Sequence, residues 1–101
     1  MTIEKILEEI IRAKNGSTFD SHEIILEFAR NNQNLYITEL NKIKDKCEHP
    51  FTQCHAALGR KIKIISESLG YKLNNENRDY KSANIFGFDS PCSQYEYTKT
   101  I

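Results

Sequence analysis

The stretch from residue 51 to residue 69, FTQCHAALGRKIKIISESL, constrains the fold more than any other part of the chain. Six of its residues recur at spacings of four and three, which places them on one face of an α-helix. These six are Phe51, His55, Leu58, Ile62, Ile65 and Leu69. The opposite face is polar and holds the densest basic cluster of the sequence, with Arg60 and Lys63 as neighbours. A core helix with a positive outer surface is therefore predicted over residues 50–69.

Three amphipathic helices are predicted ahead of this one. Isoleucine and leucine residues at helical spacing predict the first over residues 2–14. Asp20 stands three residues before a glutamate, the spacing of a capping box, and predicts a second helix over residues 21–31. A third helix is predicted over residues 35–47. Pro50 disfavours helical geometry in the residue before it but suits the first turn of a new helix, so we expect a tight turn between the third and fourth helices.

The pattern changes after the fourth helix. Residues 71–74 and 94–100 alternate between apolar or aromatic and polar side chains, which predicts two strands that pair as a terminal antiparallel hairpin. In the long connection between them, residues 82–88 are expected to fold as a helical turn and residues 89–91 as a second turn or cap. The predicted fold is mainly α, of the α+β class. It is a four-helix N-terminal bundle followed by a C-terminal β-hairpin, in one domain over residues 1–101.

Charge and cysteine content limit the kinds of binding partner and the cellular compartment that we expect for this protein. The 14 basic and 14 acidic residues give a formal net charge of zero, so no overall field draws the chain to nucleic acid, anionic lipid or acidic substrates. The cysteines are odd in number, and the chain shows neither a signal peptide nor an apolar run long enough for a bilayer. We therefore expect reduced thiols in a soluble, cytoplasmic protein without membrane contact. The frequent lysine, asparagine and isoleucine suggest an AT-rich source such as a low-GC bacterium or its phage.

One cluster of side chains has metal-binding chemistry. Cys47, His49, Cys54 and His55 fall within a short segment, but Cys54 and His55 are adjacent and would point to different sides of a helix, unlike the paired ligands of small zinc motifs. We therefore predict no metal and no cofactor, with the cysteines as small core residues. No Cys/His pair, carboxylate pair or glycine-rich phosphate loop has a recognisable local signature. Accordingly we predict no catalytic residues and do not expect an enzyme.

The order of elements, helices followed by a hairpin with a tight turn before the fourth helix, resembles the winged helix-turn-helix family. The resemblance implies that residues 36–47 and 50–69 form the helix pair, that the latter is the recognition helix, and that residues 71–101 form the wing. Double-stranded DNA is then the implied partner. The residues implied to face a groove or touch phosphate are Thr52, Gln53, Ala56, Arg60 and Lys63 in the helix, and Lys72, Arg78 and Lys81 in the wing. The alternative for the basic cluster is a solvated surface without a partner.

A protein-interaction module is the second functional hypothesis, for example a phage or mobile-element protein that binds and inhibits a host factor. It would use Phe86, Phe88, Tyr95 and Tyr97, because aromatic residues are enriched at interfaces. Packing of the hairpin against the helices is the other explanation for these rings. Neutral charge favours this module, whereas element order favours the DNA binder. An open edge at residues 94–101 would also allow a homodimer by strand pairing.

Overall fold

The computed structural model describes residues 2–74 and 80–98, which hold four helices and five short strands. The helices are α1 (Ile3–Arg12), α2 (Ser21–Asn31), α3 (Gln33–Ile43) and α4 (Pro50–Ser68). The strands are β1 (Phe19–Asp20), β2 (Tyr71–Leu73), β3 (Lys81–Ala83), β4 (Asp89–Pro91) and β5 (Gln94–Tyr97). This architecture confirms the predicted α+β class and the predicted number of helices.

Side-chain caps start the first two helices. The hydroxyl of Thr2 accepts a hydrogen bond from the backbone N–H of Lys5 at 3.2 Å. The carboxylate of Asp20 accepts one from the N–H of Glu23 at 2.8 Å. Each bond satisfies a backbone donor that the first turn of a helix leaves unpaired. The predicted starts of α1 and α2 are confirmed for this local reason.

The connections around α3 differ from the prediction. Asn32 alone separates α2 from α3, with φ −136° and ψ 53°, so the tight connection lies there. Helix α3 begins two residues earlier than predicted and ends at Ile43, and the segment 44–49 joins it to α4. The tight turn predicted before α4 is therefore wrong. Pro50 does occupy the first turn of α4, as expected, and His49 before it is held out of helical geometry.

A three-stranded antiparallel sheet closes the domain, in the order β1-β5-β2. Tyr95 lies opposite Leu73 on one side and opposite Phe19 on the other. The predicted pairing of the two terminal strands is confirmed, and β1 is an additional partner. Tyr95 has a register partner on both sides, whereas Glu96 and Tyr97 have one in β2 only. The homodimer through the edge at residues 94–101 therefore stays a prediction. The end of the predicted strand, residues 99–101, lies outside the described residues.

The long connection contains a second hairpin. Strands β3 and β4 pair antiparallel with Ser82 opposite Ser90, where a helical turn and a second turn were predicted. The backbone N–H groups of Asn84 and Gly87 bond to Phe88 O at 2.8 Å and Asn84 O at 2.9 Å, respectively, which closes the turn. Gly87 has a φ of +85°, a left-handed conformation that glycine adopts without strain. The helical-turn prediction was wrong because cross-strand bonds outweigh local propensity here.

One hydrophobic core joins the helices to the three-stranded sheet. Its residues are Ile6, Leu7, Ile11, Phe19, Ile24, Ile25, Phe28, Tyr36, Cys54, Leu58, Ile62, Tyr71 and Tyr95. Cys54, Leu58 and Ile62 are the residues of α4 that enter it. Phe51 was predicted on this inward face, but it is 44% exposed. In the described part of the chain, no helix combines the length and the apolar character needed to cross a membrane.

Candidate functional site

The outer face of α4 carries four of the residues predicted to contact nucleic acid. Thr52, Gln53, Arg60 and Lys63 are all exposed. Helical geometry places them on one side of α4, opposite the buried line through Leu58. Ala56 lies on the same side and is also exposed. The structure therefore brings the predicted α4 residues together on one surface, which we call the α4 outer face.

The positive charge of this face comes from two side chains. Lys61 donates to Glu4 Oε1 at 2.7 Å, and this hydrogen bond lowers the pKa of Glu4. Among residues 2–74 and 80–98, Arg60 and Lys63 have no ion-pair partner. Only these two of the three clustered cations are thus available to an anionic ligand without breaking an existing pair.

The two lysines predicted to touch phosphate from the wing, Lys72 and Lys81, lie in different sheets. Lys72 is exposed in β2, directly opposite Glu96 of β5. Lys81 is exposed in β3, which belongs to the separate two-stranded sheet. Arg78, the third predicted phosphate contact of the wing, lies outside the described residues. The single positive wing implied by the family resemblance is therefore divided between two sheets.

The β3–β4 hairpin is fixed to the start of α2. Nδ1 of His22 lies 3.0 Å from Ser82 Oγ in β3, and Nε2 lies 3.3 Å from Ser90 Oγ in β4. The hydroxyl of Tyr80 donates to Asp20 Oδ2 at 2.8 Å, and this bond raises the pKa of Tyr80 to about 12. One histidine thus contacts both strands of the hairpin, which sets its position relative to the helices.

A groove of about 470 Å³ separates this hairpin from α4. Small side chains of α4 line one wall, namely Thr52, Ala56 and Gly59, and an ideal Cβ built on Gly59 would meet nothing within 4 Å. The hairpin and the segment after it contribute Asn84, Phe86, Ser90, Pro91, Cys92 and Ser93. The volume falls within the range of small-molecule and cofactor sites, roughly 300–1,000 Å³.

Three phenylalanine rings near this groove are open to solvent, and we call them the exposed phenylalanines. Phe51 is 44% exposed, Phe86 51% and Phe88 71%. The rings of Phe51 and Phe86 meet edge to face with centroids 5.0 Å apart, and Phe86 stacks on His55 at 6.3 Å. Sequence reasoning identified Phe86 and Phe88 but missed Phe51, because its helical spacing matched the inward face.

The two predicted partner-contact tyrosines have different environments. Tyr95 is 1% exposed and stacks on Phe19 with ring centroids 5.5 Å apart. It is a core residue, so its predicted role in partner contact is wrong. Tyr97 is 41% exposed and tilts against Tyr71 at 5.1 Å. Alternation places both rings on the same face of β5 and cannot distinguish them. In the structure Tyr95 lies within the core, whereas Tyr97 lies at the end of the strand beside Gly16 and Gly70.

The cysteine and histidine residues between positions 47 and 55 have separate environments. Cys54 is buried, and burial raises the pKa of its thiol. The hydroxyl of Tyr36 and Nε2 of His55 share a hydrogen bond of 2.6 Å. Burial raises the pKa of Tyr36 to about 12 and lowers the pKa of His55, so a neutral phenol bonds to a neutral imidazole. Cys47 donates to Ile43 O at 3.5 Å. The described side chains contain no group of three or more His, Cys, Asp or Glu residues that could hold a metal ion.

The site is therefore a surface and not a buried centre of reactive groups. It combines three features: the α4 outer face, whose two cations have no ion-pair partner among residues 2–74 and 80–98, the groove beside the β3–β4 hairpin, and the exposed phenylalanines. Comparison of the chain with protein-family models, curated proteins and solved structures finds no match.

Proposed function

We propose that the protein is a non-enzymatic, winged-helix-like regulatory protein that binds double-stranded DNA through the α4 outer face. The observation that carries this proposal is that Arg60 and Lys63 are exposed on the same side as Thr52 and Gln53, without a carboxylate partner in the described residues. Helix α4 is presented with its polar side outward, and the β3–β4 hairpin lies beside it across the groove.

The physical chemistry of DNA supports this arrangement. The major groove admits one α-helix, and polar side chains on the inserted face contact base edges and phosphates. Gln53 has the bidentate amide that pairs with adenine, and Arg60 has the guanidinium that pairs with guanine or phosphate. A cation with no existing ion pair gains the full effect of counterion release when it contacts a phosphate. Lys61, already bonded to Glu4, would gain less.

The test is fluorescence anisotropy of a labelled mixed-sequence duplex, titrated with the protein at several salt concentrations. Two phosphate contacts predict a slope of log K against log salt of about −1.8. The variant Arg60→Glu/Lys63→Glu should lose most of the binding at low salt.

A matched control variant tests whether the loss of affinity depends on where the charge is changed or only on the net charge of the protein. Lys44→Glu/Lys46→Glu makes the same charge change at two exposed lysines in the connection between α3 and α4. This control should keep most of its affinity, because these lysines lie outside the α4 outer face. Equal loss in both variants would show a general charge effect and would contradict the proposed surface. No binding of the unmodified protein at low salt would reject DNA binding.

A second candidate function is interaction with a protein partner through the exposed phenylalanines. The observation that favours it is the 71% exposure of Phe88 next to the half-exposed Phe86, with Tyr97 as a further accessible ring. Exposed aromatic side chains of this size are frequent anchors of protein interfaces. If duplex binding is absent, a photo-crosslinking amino acid at position 88 would test this candidate. The additional substitution Phe86→Ala should then abolish crosslinking to the partner.

A further inference from the structure

We infer that the nucleic acid bound at this surface contains an unpaired base that its neighbours do not fully cover, and that Phe86 and Phe88 stack on that base. This inference rests on the proposed function and specifies the class of nucleic acid that is bound. It assigns a role to the exposed phenylalanines, which binding of α4 in a regular major groove leaves unused.

The turn that carries these rings is ordered before any ligand binds. Oδ1 of Asn84 accepts hydrogen bonds from the backbone N–H groups of Phe86 at 2.9 Å and Phe88 at 3.2 Å. Two backbone bonds close the same turn, from Gly87 N to Asn84 O and from Asn84 N to Phe88 O. A ligand therefore meets rings whose backbone is already fixed, which reduces the ordering entropy lost on binding.

Both rings keep a large accessible surface, 51% for Phe86 and 71% for Phe88. Phe86 touches the ring of Phe51 edge to face and stacks on His55, and about half of it is still exposed. Every nucleobase has a π face, so an aromatic side chain stacks on any of the four bases. In an intact duplex, neighbouring base pairs cover these faces. Stacking on a phenylalanine therefore requires a base that is unpaired or a step that opens.

The charges near the rings match a ligand with an anionic backbone. Lys63 follows Gly59 by one helical turn and so continues the wall of the groove along α4. Arg60 lies on the other flank of the α4 outer face, where it lines a depression together with Gln53 and residues of α3. From Thr52 to Lys63 the helix rises by about 16 Å. A phosphate on Lys63 lies on the groove side of α4, so the adjoining base can face the groove, which offers hydroxyl groups for hydrogen bonds.

The carboxylates of this region do not cancel that attraction. In the described hairpin, Asp89 is the one acidic residue and Lys81 the one basic residue. On the α4 outer face, Glu67 accompanies Arg60 and Lys63. On the α4 outer face the two cations outnumber the one carboxylate, and a purely apolar protein partner would make no use of them.

The experiment compares two labelled duplexes of identical length by fluorescence anisotropy at low salt, one fully paired and one with a central two-base mismatch. The variant Phe86→Leu/Phe88→Leu keeps apolar side chains but removes the aromatic faces, and both positions are more than half exposed, so the core is not altered. Stacking on one base predicts that the unmodified protein binds the mismatched duplex at least about fivefold more tightly. The leucine variant should lose this preference and keep its affinity for the paired duplex.

The outcomes separate this inference from the proposed function. Equal affinity for the two duplexes, or a preference that survives in the leucine variant, overturns the inference. If binding to the paired duplex still depends on Arg60 and Lys63 in that case, the proposed function stands alone. If the protein binds neither duplex, both fail, and the exposed phenylalanines are left to a protein partner.

Discussion

Replacing Gly59 by alanine is expected to stabilise the protein. Gly59 lies in the middle of α4, where glycine costs about 1 kcal/mol relative to alanine. Alanine also restricts the unfolded chain, which reduces the entropy lost on folding. An ideal Cβ at this position would meet nothing within 4 Å, so the added methyl group causes no clash. We therefore expect a gain of about 1 kcal/mol in the free energy of unfolding, or roughly 4–8 °C in Tm for a domain of this size.

The same substitution at Gly70 should have the opposite sign. Gly70 has a φ of +94°, and an ideal Cβ there would lie 3.2 Å from Cε1 of Tyr97. An L-residue in the left-handed region costs roughly 1–2 kcal/mol, to which the displacement of Tyr97 adds. Thermal and urea unfolding followed by far-ultraviolet circular dichroism measures both variants against the unmodified protein. A Gly59→Ala variant with an unchanged or lower Tm would refute the assignment of an open helical site at residue 59.

Two further predictions concern buried polar groups. Ser66 is 0% exposed, and its Oγ has no hydrogen-bond partner in the described part of the chain, so Ser66→Ala should raise the free energy of unfolding by up to about 1 kcal/mol. A lower urea midpoint in this variant would show that the hydroxyl is bonded. Burial lowers the pKa of His55 in the folded state, so below about pH 6.5 the unfolded chain takes up the proton first and stability falls with falling pH. His55→Gln should weaken this pH dependence of the urea midpoint between about pH 7 and 5, and an unchanged dependence would contradict the assignment.

The helices were predictable because their signals are local. Thr2 and Asp20 cap through bonds to residues three positions along the chain, and helical spacing of aliphatic residues identifies α1 and α4. The exposed position of Arg60 and Lys63 followed from the same periodicity. The end of α3 was less predictable, since the apolar spacing continues to Cys47 although the helix ends at Ile43.

The candidate site was only partly predictable. Its cations and two of its three phenylalanines were identified from the sequence. The salt bridge that occupies Lys61 joins it to Glu4, which is 57 positions away in the sequence, so no local pattern indicates it. The groove was not predictable from the sequence either, because it forms only where the β3–β4 hairpin lies against α4.

The sequence by itself determined the helix order, the positions of the two terminal strands and the polar outer face of α4, since these depend on caps, periodicity and alternation within a few residues. Tertiary structure alone decided that Tyr95 is core, that Phe51 is exposed, and that the long connection forms a hairpin. His22 illustrates the physical reason, because its ring bonds to Ser82, 60 positions away. The energy of such contacts depends on which distant segments meet, and that information is distributed over the whole chain and not contained in any one segment.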